Sequence, residues 1–171
     1  MSNKDTKGQK LYETLRGVAF LRGVSDEQVR DVAAIGRLVH VPKGEFLFRE
    51  ADPGVNCYLV IEGIISLEFC SPSAGCATIL TIGEGELLSW SPLLGHEKLT
   101  ASARTLTDVR MIELNAERLL ELCKKNPEFG YKFMRCTSLA LAKRLTATRL
   151  QLLDLYRSES PRNVISGENR G

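Results

Sequence analysis

Apolar residues at the start of the chain fall at helical spacing. Leu11, Leu15 and Val18 share one face, and Gly23 then interrupts the pattern. Ser25-Asp26-Glu27-Gln28 has the form of a capping box ahead of Val29, Val32, Ala33 and Ile35. The stretch to about residue 36 therefore predicts a lead-in of short helices.

From Leu38 the texture changes to short apolar runs with alternation. The runs are Leu38 to Val41, Phe46 to Phe48, Tyr58 to Ile61, Ile64 to Phe69, Ala77 to Ile82 and Val109 to Leu114. Turn-forming clusters separate them: Pro42-Lys43-Gly44, Asp52-Pro53-Gly54, Glu62-Gly63 and Ser71-Pro72-Ser73-Ala74-Gly75. Short strands at regular spacing predict a mostly antiparallel sandwich or barrel.

After Leu114 the helical period returns. Asn115 suits the cap of a helix to about Lys125, and Asn126-Pro127 suits the cap and first turn of the next. That last helix is expected over about 127–156, with Leu141, Leu145, Thr148, Leu152 and Leu155 forming a heptad-like stripe. Such a stripe can pack on the strands, pair with a second copy, or do both. Residues 157–171 are polar and are expected to be a disordered tail. The predicted domain thus spans 8–156.

Composition adds limits. Hydrophobic residues make up 43% and charged residues 26% of 171, which suits one soluble domain with a buried core. A net charge of +2 is too balanced for whole-surface attraction to nucleic acid or an anionic membrane. The polar opening lacks a secretory signal and no apolar run nears the ~18 residues of a membrane span, so a cytoplasmic location is expected. The five cysteines (Cys57, Cys70, Cys76, Cys123 and Cys136) contain no Cys-x-x-Cys pair, and free thiols are expected. Cys70 and Cys76 flank a hairpin loop and could be neighbours across it, which leaves a redox pair open.

The segment Phe46-Leu47-Phe48-Arg49-Glu50-Ala51-Asp52-Pro53-Gly54-Val55-Asn56-Cys57-Tyr58-Leu59-Val60-Ile61-Glu62-Gly63 resembles the first half of the cyclic nucleotide-binding domain shared by the cyclic-AMP receptor protein and FNR-type regulators. With the order of elements around it, the resemblance runs from about Leu15 to Tyr156. It implies a mainly β fold with flanking helices: a jelly-roll β-roll of about eight strands, N-terminal helices and a long C-terminal helix. It also implies a phosphate-binding cassette in which a glutamate holds the ribose hydroxyl and an arginine pairs with the cyclic phosphate.

Here the cassette departs from that pattern. Matching Gly85-Glu86-Leu87-Leu88-Ser89-Trp90 to the family's Gly-Asp-x-Phe-Gly-Glu places Ser89 at the glycine and Trp90 at the glutamate. Matching Ala101-Ser102-Ala103 to its Ala-Thr-Val places Leu99 at the arginine, and the two anchors agree without a gap. An apolar Leu99 cannot neutralise a buried phosphate, so cyclic AMP or cyclic GMP is not expected to bind by the usual contacts. Lys98 could offer a point charge, although strand alternation points it away from Leu99. Arg104 or Glu86 would serve only in another register.

Two readings of the apolar cassette follow. Either Trp90 is a stacking platform in an altered pocket, with Leu88 and Leu99 as walls and Ser89, Ser91, Thr100 and Ser102 as small hydrogen-bonding groups, or Trp90 and the leucines fill the former pocket. The first makes the chain a stand-alone sensory domain and the second a ligand-free dimeric interaction protein. Cyclic nucleotide bound by non-standard contacts, or redox or haem sensing, is a third route. No cofactor or metal is expected, since His40 and His96 form no ligand spacing, and no motif suggests an enzyme. The polar stretch after Tyr156 is too short for the family's helix-turn-helix, so DNA is not an expected partner by that mode. Lys132, Arg135, Lys143, Arg144 and Arg149 are expected on a solvated helix face.

Overall fold

A computed structural model describes the backbone of residues 3–73 and 75–159 and the side chains of residues 8–73, 75–150 and 153. The order is α1 (Asn3–Arg16), a 3₁₀ turn (Ala19–Leu21), α2 (Asp26–Ile35), eight strands, then α3 (Ala116–Lys125) and α4 (Pro127–Glu159). The local signals act where the chain carries them. Ser25 Oγ accepts from Gln28 N at 3.3 Å and Gln28 Oε1 accepts from Ser25 N at 3.2 Å, closing the capping box. Asn115 caps α3 by accepting from Arg118 N at 3.1 Å, and Asn126 caps α4 by accepting from Phe129 N at 3.0 Å.

The strands are β1 (Gly36–Val41), β2 (Phe46–Phe48), β3 (Asn56–Glu62), β4 (Ile65–Ser71), β5 (Gly75–Ile82), β6 (Leu87–Leu88), β7 (Ser102–Thr105) and β8 (Val109–Asn115). They form two four-stranded antiparallel sheets in the orders β1-β8-β3-β6 and β2-β7-β4-β5, a jelly-roll arrangement. Neither β6 nor β7 is among the alternating runs. Two residues are too few to alternate, and Ser-Ala-Arg-Thr has almost no apolar signal, so long-range pairing alone makes these segments strands.

Strand alternation divides the interior in two. Cys57 and Leu59 on β3, with Ile112 and Leu114 on β8, face Leu15, Val32, Leu119, Phe129 and Phe133 of the helices. Val60, Met111 and Val109 point the other way, to Ile65, Ile82 and Ala103 inside the roll. Leu87 joins the helical core and its neighbour Leu88 joins the roll core, each about fully buried, so β6 pins one core to the other. Burying each stabilises the fold by about 1.5–3 kcal/mol. α4 packs on the helical core as far as Ala140, and beyond it Leu141, Arg144, Leu145 and Thr148 lie over the cavity beside β2, β4 and β5. Its helix continues through Arg157–Glu159, beyond the expected end at 156; residues 160–171 lie outside the described part. Among the described residues no helix is long and apolar enough to cross a membrane.

Candidate functional site

Left-handed residues flank β6 on both sides. Gly85 before it has φ +76°, and Ser89 and Gly95 in the cassette between β6 and β7 have φ +60° and +80°. Ser89 stands where the register placed the family's glycine, and its backbone adopts a conformation that favours glycine. The Ser89 hydroxyl donates to the Asn56 carbonyl at 2.9 Å, which offsets part of the backbone cost. Asn56 is itself held, donating through Nδ2 to Glu113 Oε1 at 2.9 Å, and Arg37 Nε donates to Glu113 Oε2 at 2.8 Å. The site-side wall is thereby tied to β1, β3 and β8.

Glu86 is used elsewhere. Its Oε2 accepts from Gly83 N at 2.8 Å, and its Oε1 lies 3.9 Å from Lys143 Nζ on α4. Arg104 is exposed on β7, donating through Nε to the Gly44 carbonyl at 3.1 Å beside the Phe46 ring. Neither side chain lines the cavity at the cassette.

Trp90 precedes a 3₁₀ turn (Ser91–Leu94), and Leu99 is buried at 7% exposure. Backbone bonds hold Leu99 on both sides: its N–H donates to the Asp52 carbonyl at 2.9 Å, and its carbonyl accepts from Ala51 N at 2.9 Å. Lys98 is exposed and bridges to Pro53, facing away as alternation required.

A cavity of about 520 Å³ opens between this cassette, the roll and α4. Ser89, Trp90, Ser91, Leu99 and Thr100 line one side, with Phe48, Leu67, Phe69, Ile79 and Leu80 from the strands. Leu141, Ala142, Arg144, Leu145 and Thr148 supply the helical wall. Of the expected site residues, Leu88 instead fills the roll core. Lys98 and Ser102 do not line the cavity, and Ser102 is buried with its hydroxyl accepting from Glu50 N at 3.0 Å.

Part of the expected stripe lines the cavity in the single chain. Leu141, Leu145 and Thr148 face the cavity, although Leu145 remains 63% exposed. The side chains of Leu152 and Leu155 lie outside the described residues.

Arg144 corrects the expectation of a solvated basic face. It is half-buried, donates through Nη2 to the Leu87 carbonyl, and has a buried Nε–H without an acceptor among the described residues. Burial pushes the guanidinium's pKa down from its ordinary value, opposed by the nearby charge of Glu86. The sequence did hold a signal for this: Arg144 shares a helix face with Leu141, Leu145 and Thr148. What hid it was that an arginine stem covers apolar surface as readily as it reaches solvent.

The expectation of free thiols is also corrected for one pair. Cys70 and Cys76 stand opposite each other across β4 and β5, Cα atoms 3.9 Å apart, and are joined by a disulfide. Glu68 lies close enough to form a three-residue cluster with them, but bonded sulfurs offer no thiolate to a metal. Cys57, Cys123 and Cys136 are free, and burial pushes the Cys57 thiol up to about 12. Among the described residues no histidine, cysteine, methionine or carboxylate lines the cavity, and both His40 and His96 are exposed.

Comparison with known proteins agrees with this geometry. Residues 38–126, just over half of the chain, match the cyclic nucleotide-binding domain. The chain belongs to this family. It is similar to a CRP-like cAMP-activated global transcriptional regulator of Mycobacterium tuberculosis, 27% identical over 155 residues that cover 90% of this chain and 67% of that protein. Among solved structures it resembles a candidate cyclic nucleotide-binding protein from Geobacter metallireducens, with TM-score 0.68 and 31% identity over 78% of this chain and 96% of that one. It also resembles the N-terminal domain of a transcriptional regulator from Streptomyces coelicolor, with TM-score 0.63 and 28% identity over 76% and 93% of the two chains. The cyclic nucleotide-binding fold, with its roll and following helix, is therefore established, and the cassette lies within the matched range.

Proposed function

We propose that this chain is a non-enzymatic sensory or regulatory module that keeps the cyclic nucleotide-binding fold but takes a small molecule without the usual glutamate and arginine contacts. The observation that carries this reading is the buried, apolar Leu99 in the wall of a 520 Å³ cavity, with Trp90 beside it. A cyclic phosphate seated there would lose its water and gain no counter-charge from the cassette, because the single charged lining residue among those described, Arg144, comes from α4. The cavity touches both the cassette and α4, so an occupant that prefers one arrangement of the two would shift the population of that arrangement.

A second reading, a dimeric interaction protein without ligand, draws support from the outer part of α4. Leu139, Leu150 and Leu153 are 59%, 58% and 58% exposed, an unusual density of apolar side chains on one free helix. Pairing with a second copy would cover them and is compatible with a ligand in the cavity.

A thermal-shift titration with cyclic AMP and cyclic GMP tests the first reading, with Trp90→Glu combined with Leu99→Arg as the control. No shift in the native protein and a gain of roughly 5–10 °C in the control at about 100 times the dissociation constant is the expected pattern. A comparable gain in the native protein would sink it. Sedimentation velocity across a concentration series reports the oligomeric state separately.

A further inference from the structure

The cavity's charge is as informative as its lost arginine. Among the described residues its lining holds a single charged side chain, Arg144, and that residue comes from α4 rather than from the cassette. The Leu87 carbonyl occupies Nη2, while the Nε–H has no acceptor among the described residues and is closed off, so an acceptor in the cavity reaches it only as the side chain shifts away from that carbonyl. A buried guanidinium donor without a partner costs free energy that an incoming acceptor would recover. Glu86 acts on the guanidinium only at a distance: its hydrogen bond is from Gly83 N, and it lies 3.9 Å from Lys143 Nζ. Around this one cation the walls are Phe48, Leu67, Phe69, Leu80, Trp90 and Leu99.

We propose that the cavity takes a free amphipathic monoanion, a carboxylic acid with an unbranched or aromatic apolar body, whose carboxylate pairs with Arg144 while its body lies along the roll-side wall and Trp90. This rests on the sensory reading above and names the ligand class for the same cavity. A strongly polar ligand would strand its hydroxyls against leucine and phenylalanine, whereas a wholly neutral apolar one would leave the Arg144 Nε–H unpaired. An amphipathic carboxylate satisfies both walls. By bonding to Arg144 it would compete with the contact to Leu87 that ties α4 to β6, which gives the ligand a direct mechanical path to the helix.

The test uses the intact protein and the neutral fluorophore N-phenyl-1-naphthylamine as a reporter of cavity entry, displaced by decanoate or by decanol below their micellar concentrations. Displacement by decanoate at least tenfold tighter than by decanol, falling to parity in Arg144→Met and partly kept in Arg144→Lys, is the expected result. Circular dichroism and a melting curve of each unliganded variant confirm that it is folded. Equal displacement by decanoate and decanol in the native protein would overturn the role of charge while leaving the cavity as a ligand site. No fluorophore binding, together with no change of Trp90 emission on adding decanoate, would overturn both.

Discussion

Arg144 on α4 donates through Nη2 to the backbone carbonyl of Leu87 on β6, joining residues 57 positions apart. Leu87 is also where the helical core meets the strand leading into the cassette. One side chain thus ties the outer part of the long helix to the segment that shapes the cavity.

Replacing that tie should loosen the helix without unfolding the domain. Arg144→Met keeps much of the stem's packing and removes a buried charge, so its global stability is expected to stay within about 1 kcal/mol of the native value. Amide hydrogen exchange in α4 beyond Thr137 should nevertheless quicken, because that part loses its bond to the roll. Unchanged protection there would show that apolar contacts alone hold the helix in place.

Gly63 closes the turn between β3 and β4 with φ +98°, and a Cβ added there would sit 2.3 Å from the Asp108 carbonyl oxygen. Gly63→Ala is expected to cost about 2–4 kcal/mol, combining positive-φ strain with a backbone clash. Gly44→Ala has a similar φ of +90° but open space around it, and should cost only about 1 kcal/mol. Equal losses in urea denaturation of the two variants would contradict the packing argument.

Alkaline pH should destabilise the fold through Cys57. Burial raises its native pKa to about 12, whereas the exposed thiol of the unfolded chain ionises near 9. The unfolded chain thus releases this proton first: the stability contribution is full below about 9 and is lost as pH rises towards 12. Burial shifts Tyr58, Cys123 and Cys136 upward too, which adds to the same trend. Stability curves of the native protein and Cys57→Ala should differ in slope by about 1.4 kcal/mol per pH unit in that window.

The disulfide gives a countable outcome. Without reductant, denatured protein should show three titratable thiols, from Cys57, Cys123 and Cys136, and all five only after reduction. Because Cys70 and Cys76 close a short loop, replacing both with serine should cost no more than about 2 kcal/mol. The β4–β5 ladder already holds these residues opposite each other, so the roll should survive the change.

Much of the architecture is legible in the order of residues alone. The capping box at Ser25, the caps at Asn115 and Asn126 and the alternation on β3 and β8 are short-range signals, and each acts within a few residues of where it is written. In the cassette, Ser89 has a left-handed backbone, Leu99 is buried and Lys98 is exposed, a pattern in keeping with strand alternation around Leu99. By itself the sequence determined the helix and strand periods, the turn positions and the apolar character of the Leu87–Leu94 stretch and of Leu99.

Tertiary structure decided the rest, because those features depend on partners far apart in the chain. β6 and β7 exist through pairing with β3, β2 and β4, not through their own composition. Cys70 and Cys76 meet because the hairpin register sets them opposite each other. Leu141, Leu145 and Thr148 read as a helix seam, yet whether such a stripe faces a cavity, the roll or another chain depends on where α4 crosses the sheet. Arg144 changes from a surface charge to a buried donor for the same reason: no local pattern specifies the distance from a helix face to a strand edge.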